Sequence, residues 1–434
     1  MKTYSIVDYG AIEADLLQTS AIQAAIDACY RDGGGEVLVP AGIYRTGGLR
    51  LRSRVTLHLL SGAILEGSGN PDDYQGWRHD PLEPIEVPPA EPTQYRSALR
   101  TSRWNNALIR AFDAHDIAIL GEPGSLLCGM NCYDPTGEEN YRGPHGINLW
   151  DCENVTLDGY TLRSAGNWAH AIFRTKNVTI RNVTVQGGHD GVDLFLCENA
   201  LIEDCIFRTG DDSLAGFGNR KVVMRRCVLN SSCSAIRFGG TDVLIEACED
   251  GGAPRFAFRG SLTPEEKARS ASTTASNRRR TLNVFLYYCD ARFGALPDAP
   301  GNITVRDCRF DGAYDLFKMA YGKHIWCCNE PLRSITFENC QLTGLRLPIG
   351  ILGDPEKPIE FRLRNVELSS GDEVESPVFL DAENFSLLEL TNVHLKGYDA
   401  PRLVVRSEGQ IIVAHCDDFE TVREAPGQSG IQGN

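Results

Sequence analysis

At 434 residues the chain can bury a large core, and read as compact domains it would divide into two or three. Its formal net charge of −15 argues against nucleic acid or an anionic membrane as a partner, since both attract basic surfaces. No apolar run is long enough to span a bilayer, and Met1-Lys2-Thr3-Tyr4-Ser5-Ile6-Val7 lacks the apolar core of a secretion signal.

The first element is helical. Ser20-Ala21-Ile22-Gln23-Ala24-Ala25-Ile26-Asp27-Ala28-Cys29 has an apolar face, with Thr19 or Ser20 expected as N-cap and Gly33-Gly34-Gly35 as its stop. Solenoids need such an element to cover the first coil. Residues 70 to 105 are rich in proline and charge and read as a long surface excursion.

From about residue 150 one phrase recurs: a polar residue, an alternating apolar run, Asn/Asp followed by Cys or Val, a second short run, then Gly. Copies begin at Asn154, Asn177, Asn199, Lys221 and Asp242, with later ones at Asn302, Ser334 and Leu387. The first five start 21 to 23 residues apart, too close together to hold helices. A unit this short cannot bury its apolar face alone, but stacked coils can, each strand pairing with its equivalent about 4.8 Å away. The expected fold is therefore all-β, a single-stranded right-handed parallel β-helix with an N-terminal capping helix and long surface loops. One such domain is expected over residues 1–434. Residues 1–70 form the cap and first coils, 150–250 the coils with chemistry, 250–300 an insertion loop and 300–434 the last coils.

Recurring Asn and Cys at one phase predict ladders inside the coils. The fifteen cysteines mostly fall in hydrophobic runs, as at Cys205 and Cys308, and read as small buried side chains. Cys327 and Cys328 are adjacent and have no zinc-ligand spacing. So many free thiols suit a reducing cytoplasm, where the protein is expected. The insertion contains Thr263-Pro264-Glu265-Glu266-Lys267 and the basic run Arg278-Arg279-Arg280, as either a solvated loop or a lid.

Two consecutive repeats hold unusual polar residues: Gly187-Gly188-His189-Asp190-Gly191-Val192-Asp193, then Arg208-Thr209-Gly210-Asp211-Asp212-Ser213. Asp190 and Asp211 are 21 residues apart, about one coil, which would bring their carboxylates to about 5 Å. Closely spaced carboxylates cannot all stay ionised cheaply, so an acid and a base arise side by side. Glycoside hydrolysis needs that combination.

These motifs resemble the polygalacturonase family, glycoside hydrolase family 28 of the pectin-lyase-like superfamily. The resemblance runs over most of the chain and includes Asp8-Tyr9-Gly10-Ala11, Thr19 to Asp27, Val37 to Gly42 and Leu57 to Ala63. It implies an inverting hydrolysis with Asp211 as general acid and Asp190 and Asp212 as the pair that holds and deprotonates water. Two family motifs are altered. Ser234, within Cys233-Ser234-Ala235-Ile236-Arg237, stands where the family has His, and Leu316-Phe317-Lys318 keeps the family's Lys but loses its Arg. Arg237 is a candidate replacement charge, and Trp168, His170, His189, Ser234 and Lys318 complete the expected substrate site. The expected substrate is an oligo- or polysaccharide, pectin-like or other, with exo action favoured and no metal or cofactor required. The alternatives are a polysaccharide lyase on the same fold and a catalytically inactive carbohydrate-binding β-helix.

Overall fold

The computed structural model describes residues 2–74, 103–268, 276, 278–290, 296, 298–322, 329–371 and 376–427. Most of the expected excursion at 70 to 105, part of the insertion, and Cys327 and Cys328 lie outside the described residues. The chain forms two compact units: residues 1–211 with 256–276, and residues 212–255 with 277–434.

The first unit is a stack of coils with three parallel sheets. One sheet runs from Thr3–Ser5 through Gly35–Val39, Val55–Leu59, His115–Gly121, Glu153–Asp158 and Lys176–Arg181 to Glu198–Glu203. A second joins Leu49–Arg50, Ala107–Phe112, His145–Trp150, His170–Phe173 and Val192–Phe195. A third stacks Gly42–Thr46, Ala63–Gly67, Leu126–Cys128, Thr161–Arg163, Thr184–Gly187 and Ile206–Thr209. Period-two alternation explains the core, with Val155 and Leu157 buried and matched one coil on by Val178 and Ile180.

Helix α1, Thr19–Arg31, packs Ile22, Ala25, Ile26 and Cys29 onto the first coil. Its N-cap is Gln18 rather than Thr19 or Ser20, because the Thr19 hydroxyl is spent on the Gly47 N–H at 2.8 Å. The stop at Gly33-Gly34-Gly35 is steric as well as conformational. Gly34 has φ +104°, and a Cβ there would lie 2.3 Å from the Arg54 carbonyl oxygen.

The second unit repeats the plan. One row of parallel strands runs from Leu214–Arg225 through Ser234–Glu246, Gly301–Arg306, Ser334–Glu338, Ile359–Ser370 and Phe385–Lys396 to Gln410–Ala414. Another passes from Ser234–Glu246 through Thr281–Tyr287, Ala313–Ala320, Ile349–Leu352, Val378–Glu383 and Arg402–Val405 to Glu420–Arg423. Phe285, Phe317, Phe337 and Phe361 meet in its interior.

The ladders divide by chemistry. Cysteines lie inside: Cys205, Cys248, Cys308 and Cys340 are free, buried thiols, each donating to the carbonyl two residues back. The asparagines instead lie outside, which corrects the expectation of an internal Asn ladder. Asn154, Asn177 and Asn199 are exposed, at φ 56°, 55° and 58°. Asn tolerates this left-handed corner better than other non-glycine residues, and its amide links one corner to the next. Asn177 Nδ2 donates to Asn154 Oδ1 at 2.9 Å, and Asn199 Nδ2 to Asn177 Oδ1 at 2.8 Å. Asn177→Ala removes both bonds and leaves Cβ strain at the corner, an expected loss of about 2 kcal/mol in urea unfolding. Asn177→Gly removes the same bonds without the strain and should cost less. Equal losses would show that the corner conformation carries no strain.

Candidate active site

In the first unit Asp190 lies in the turn before Val192–Phe195, and Asp211 follows Ile206–Thr209. The two turns are stacked, with Gly210 N–H donating to the Gly187 carbonyl at 2.8 Å. Gly210 is needed for this approach, since a Cβ there would meet the Ala257 carbonyl oxygen at 2.0 Å and that of Gly188 at 2.7 Å. Thr209 Oγ1 closes the turn by donating to the Asp211 carbonyl at 2.7 Å. Carboxylate oxygens of Asp190 and Asp211 come within 4.8 Å of each other. Asp190 is only 2% exposed and the Asp211 side chain 16%.

Arg142 organises the surroundings. Its guanidinium donates to Glu139 at 3.1 Å, to Asn167 Oδ1 at 3.2 Å and to His189 Nδ1 at 3.3 Å, and Nη2 stands 3.9 Å from Asp211 Oδ2. Burial and the Arg142 charge hold the His189 imidazole well below its ordinary pKa, so the ring is neutral. Trp168 is half-buried, stacked on Phe195 at 5.6 Å and edge-on to Trp104 at 5.1 Å, with His145 5.4 Å away. His145 is pushed down to about 3 by burial and then by Arg142.

His170 occupies a different place from the one a sugar contact would need. It is fully buried, Nδ1 donates to the Gly191 carbonyl at 2.9 Å, and Nε2 accepts from the Tyr160 hydroxyl at 2.9 Å. Its hydrogen-bonding capacity is spent inside the coil, and burial lowers its pKa to about 4.

Part of the insertion returns to these coils. Arg259 N–H donates to the Gly188 carbonyl at 3.1 Å, and the Lys267 ammonium lies 4.3 Å over the Tyr141 ring. Residues 256–268 therefore wall the turns that carry Asp190 and Asp211. Sequence reasoning missed Tyr141, Arg142, His145, Trp104 and Arg259. The usable signal is residues 129–145, which interrupt the repeat just ahead of the 150–250 coils with Tyr141-Arg142-Gly143-Pro144-His145.

In the second unit Asp212 Oδ1 accepts the Ser234 N–H at 3.0 Å, and its Oδ2 is ion-paired with Arg237 Nε. Arg237 also lies over the Tyr288 ring at 4.9 Å, so it is a packed, partnered residue. Lys318 belongs to the same row of the sheet as Arg237, two coils on through Leu286, and is half-buried.

As for a cation, Asp190 and Asp211 belong to the one compact group of potential ligands among the described residues.

The family described as "Right handed beta helix region" matches residues 139–249. A "Probable polygalacturonase" of Vitis vinifera is 26% identical over 266 residues, 55% of this chain and 51% of that protein. An "Exo-poly-alpha-D-galacturonosidase" of Dickeya chrysanthemi is 29% identical over 258 residues, 50% of this chain and 42% of that protein. The solved exopolygalacturonase of Thermotoga maritima superposes with a TM-score of 0.66 at 17% identity, over 91% of this chain and 92% of its own. This chain has the right-handed parallel β-helix fold, and about half of it is similar in sequence to polygalacturonases. It spans about half the length of the curated relatives it matches. No helix among the described residues of this polygalacturonase-like chain is long and apolar enough to cross a membrane.

Proposed function

We propose that the protein is a glycoside hydrolase cleaving pectin-like, galacturonate-containing chains, with Asp190, Asp211 and Asp212 as its catalytic carboxylates. The observation that carries this reading is the approach of Asp190 and Asp211 within 4.8 Å on adjacent coils. Two ionised carboxylates at that distance repel by about 3 to 4 kcal/mol at an effective dielectric near 20. Arg142 attracts Asp211 by a similar amount, so burial tips the balance toward a proton held by the pair. Asp211, the more open of the two, is the acid that protonates the leaving oxygen.

Asp212, joined to Asp211 by a peptide bond, is the partner of Asp190 in holding and deprotonating water. Its ion pair with Arg237 fixes the orientation of the carboxylate. Two carboxylates alone at so short a separation would suit a retaining reaction. A third makes inversion possible, because a pair can orient water where a single carboxylate would attack. Trp168 offers a ring face for stacking a sugar. Arg237 is committed to Asp212, which leaves Lys318 as the candidate positive charge for a uronate. Exo action is supported by the name of the Dickeya protein and by the wall at 256–268.

Incubation with oligogalacturonates and with neutral pectic oligosaccharides tests the proposal. Release of saturated monosaccharide from the galacturonates is the expected result. An unsaturated, ultraviolet-absorbing product would make the protein a lyase, and binding without turnover would make it a carbohydrate-binding β-helix.

A further inference from the structure

Beside Asp190 the first unit contains a cavity of about 10 Å³. Leu162, Ala169 and Val185 give it apolar walls, and Asn167, His189 and Asp190 bring polar atoms to it. That volume is at the threshold for one water molecule and too small for a sugar ring.

The hydrogen bonds of Arg142 determine which atoms of Asn167 and His189 are left over. A guanidinium only donates. Its contact with Asn167 therefore fixes Oδ1 toward Arg142 and leaves the Nδ2 amine on the other side. Its contact with His189 makes Nδ1 the acceptor, so the neutral ring carries its proton on Nε2. Both leftover donors, Asn167 Nδ2 and His189 Nε2, are buried and have no hydrogen-bond partner among the described residues. The Gly166 carbonyl influences the His189 ring but makes no aligned bond to Nε2. Asn167 is 0% and His189 3% exposed, so open solvent does not satisfy them. Each unsatisfied buried donor costs about 1 to 3 kcal/mol, and two belonging to one cavity call for a common acceptor.

We infer that this cavity is a built site for one water, which accepts N–H bonds from Asn167 and His189 and donates an O–H to the Asp190 carboxylate. The water holds Asp190 in place, and Arg142 is a positioning residue that acts through the orientation of Asn167 and the tautomer of His189. This goes beyond the pattern of three carboxylates. Its consequence for turnover rests on the proposed hydrolysis, but the water and the tautomer do not.

Neutron diffraction from crystals of the full chain in D₂O tests the site directly. The expected map has one D₂O within hydrogen-bond distance of Asn167 Nδ2, His189 Nε2 and an Asp190 oxygen, with deuterium on Nε2 of His189 and none on Nδ1. A dry cavity, or deuterium on Nδ1, overturns the inference whether or not the protein hydrolyses anything. Kinetics test the positioning role. Asn167→Leu fills the cavity and removes one donor, and should lower kcat by about 10- to 100-fold with KM unchanged. Arg142→Met should release Nδ1 and let the ring adopt either tautomer, so that deuterium appears on both ring nitrogens in the neutron map. An unchanged kcat in a folded Asn167→Leu protein, or deuterium still confined to Nε2 in Arg142→Met, would remove the positioning role.

Discussion

Asp211→Asn leaves the protein folded and able to bind saccharide, but lowers turnover of oligogalacturonate by about 10²- to 10⁴-fold. The effect is large because the amide cannot donate a proton to the leaving oxygen. Folding should be indifferent. The turn is held by backbone and hydroxyl groups, the Gly210 N–H to Gly187 and the Thr209 hydroxyl to the Asp211 carbonyl, none of which involves the carboxyl group. Removing the charge relieves the repulsion with Asp190 but gives up the attraction of Arg142, which is of similar size, so stability should change little. KM should change little. Matched melting curves with collapsed kcat are the expected pair of measurements, and a variant retaining more than a tenth of wild-type kcat would remove Asp211 from the acid role.

The second large effect concerns stability and lies away from the catalytic turns. Asp315, on Ala313–Ala320, is 3% exposed, and burial pushes its carboxyl up from 3.8 to about 7, with Lys318 opposing the shift. The folded state therefore binds this proton more tightly than the unfolded chain does. The contribution to stability is fully present below pH 3.8 and is lost as pH rises toward and through about 7. A shift of this size corresponds to about 4 kcal/mol over that window. Asp315→Asn has no proton to lose, so it should abolish this component of the pH slope and be the more stable protein at pH 8. Urea unfolding at both ends of the window checks the sign. Parallel pH slopes for wild type and variant would show that Asp315 does not titrate as its burial demands.

The repeat was legible because its physics is local. A strand of period two ending in a corner repeats every 21 to 23 residues, and the corners at Asn154, Asn177 and Asn199 announce the register of the stack. The same spacing placed Asp190 one coil from Asp211. Two details were not legible. Inside and outside could not be assigned to the ladders, because a short polar residue in the right phase fits either a buried position or a left-handed corner. Nor could Arg142 be seen as the organiser of the site, since it comes from a segment that breaks the repeat, 25 and 47 residues from the side chains it orients. His170 is the opposite case: its place in the repeat suggests a sugar contact, but Tyr160 and Gly191 occupy both of its ring nitrogens.

The most direct test is the anomeric configuration of the first product, followed by proton NMR as wild-type enzyme cleaves a defined oligogalacturonate. Water held by Asp190 and Asp212 while Asp211 protonates the leaving oxygen predicts a saturated product whose new reducing end is inverted. A retained anomer would mean that a carboxylate attacks the sugar directly, and an unsaturated product that no water is added. Either would contradict the proposed division of labour among the three aspartates.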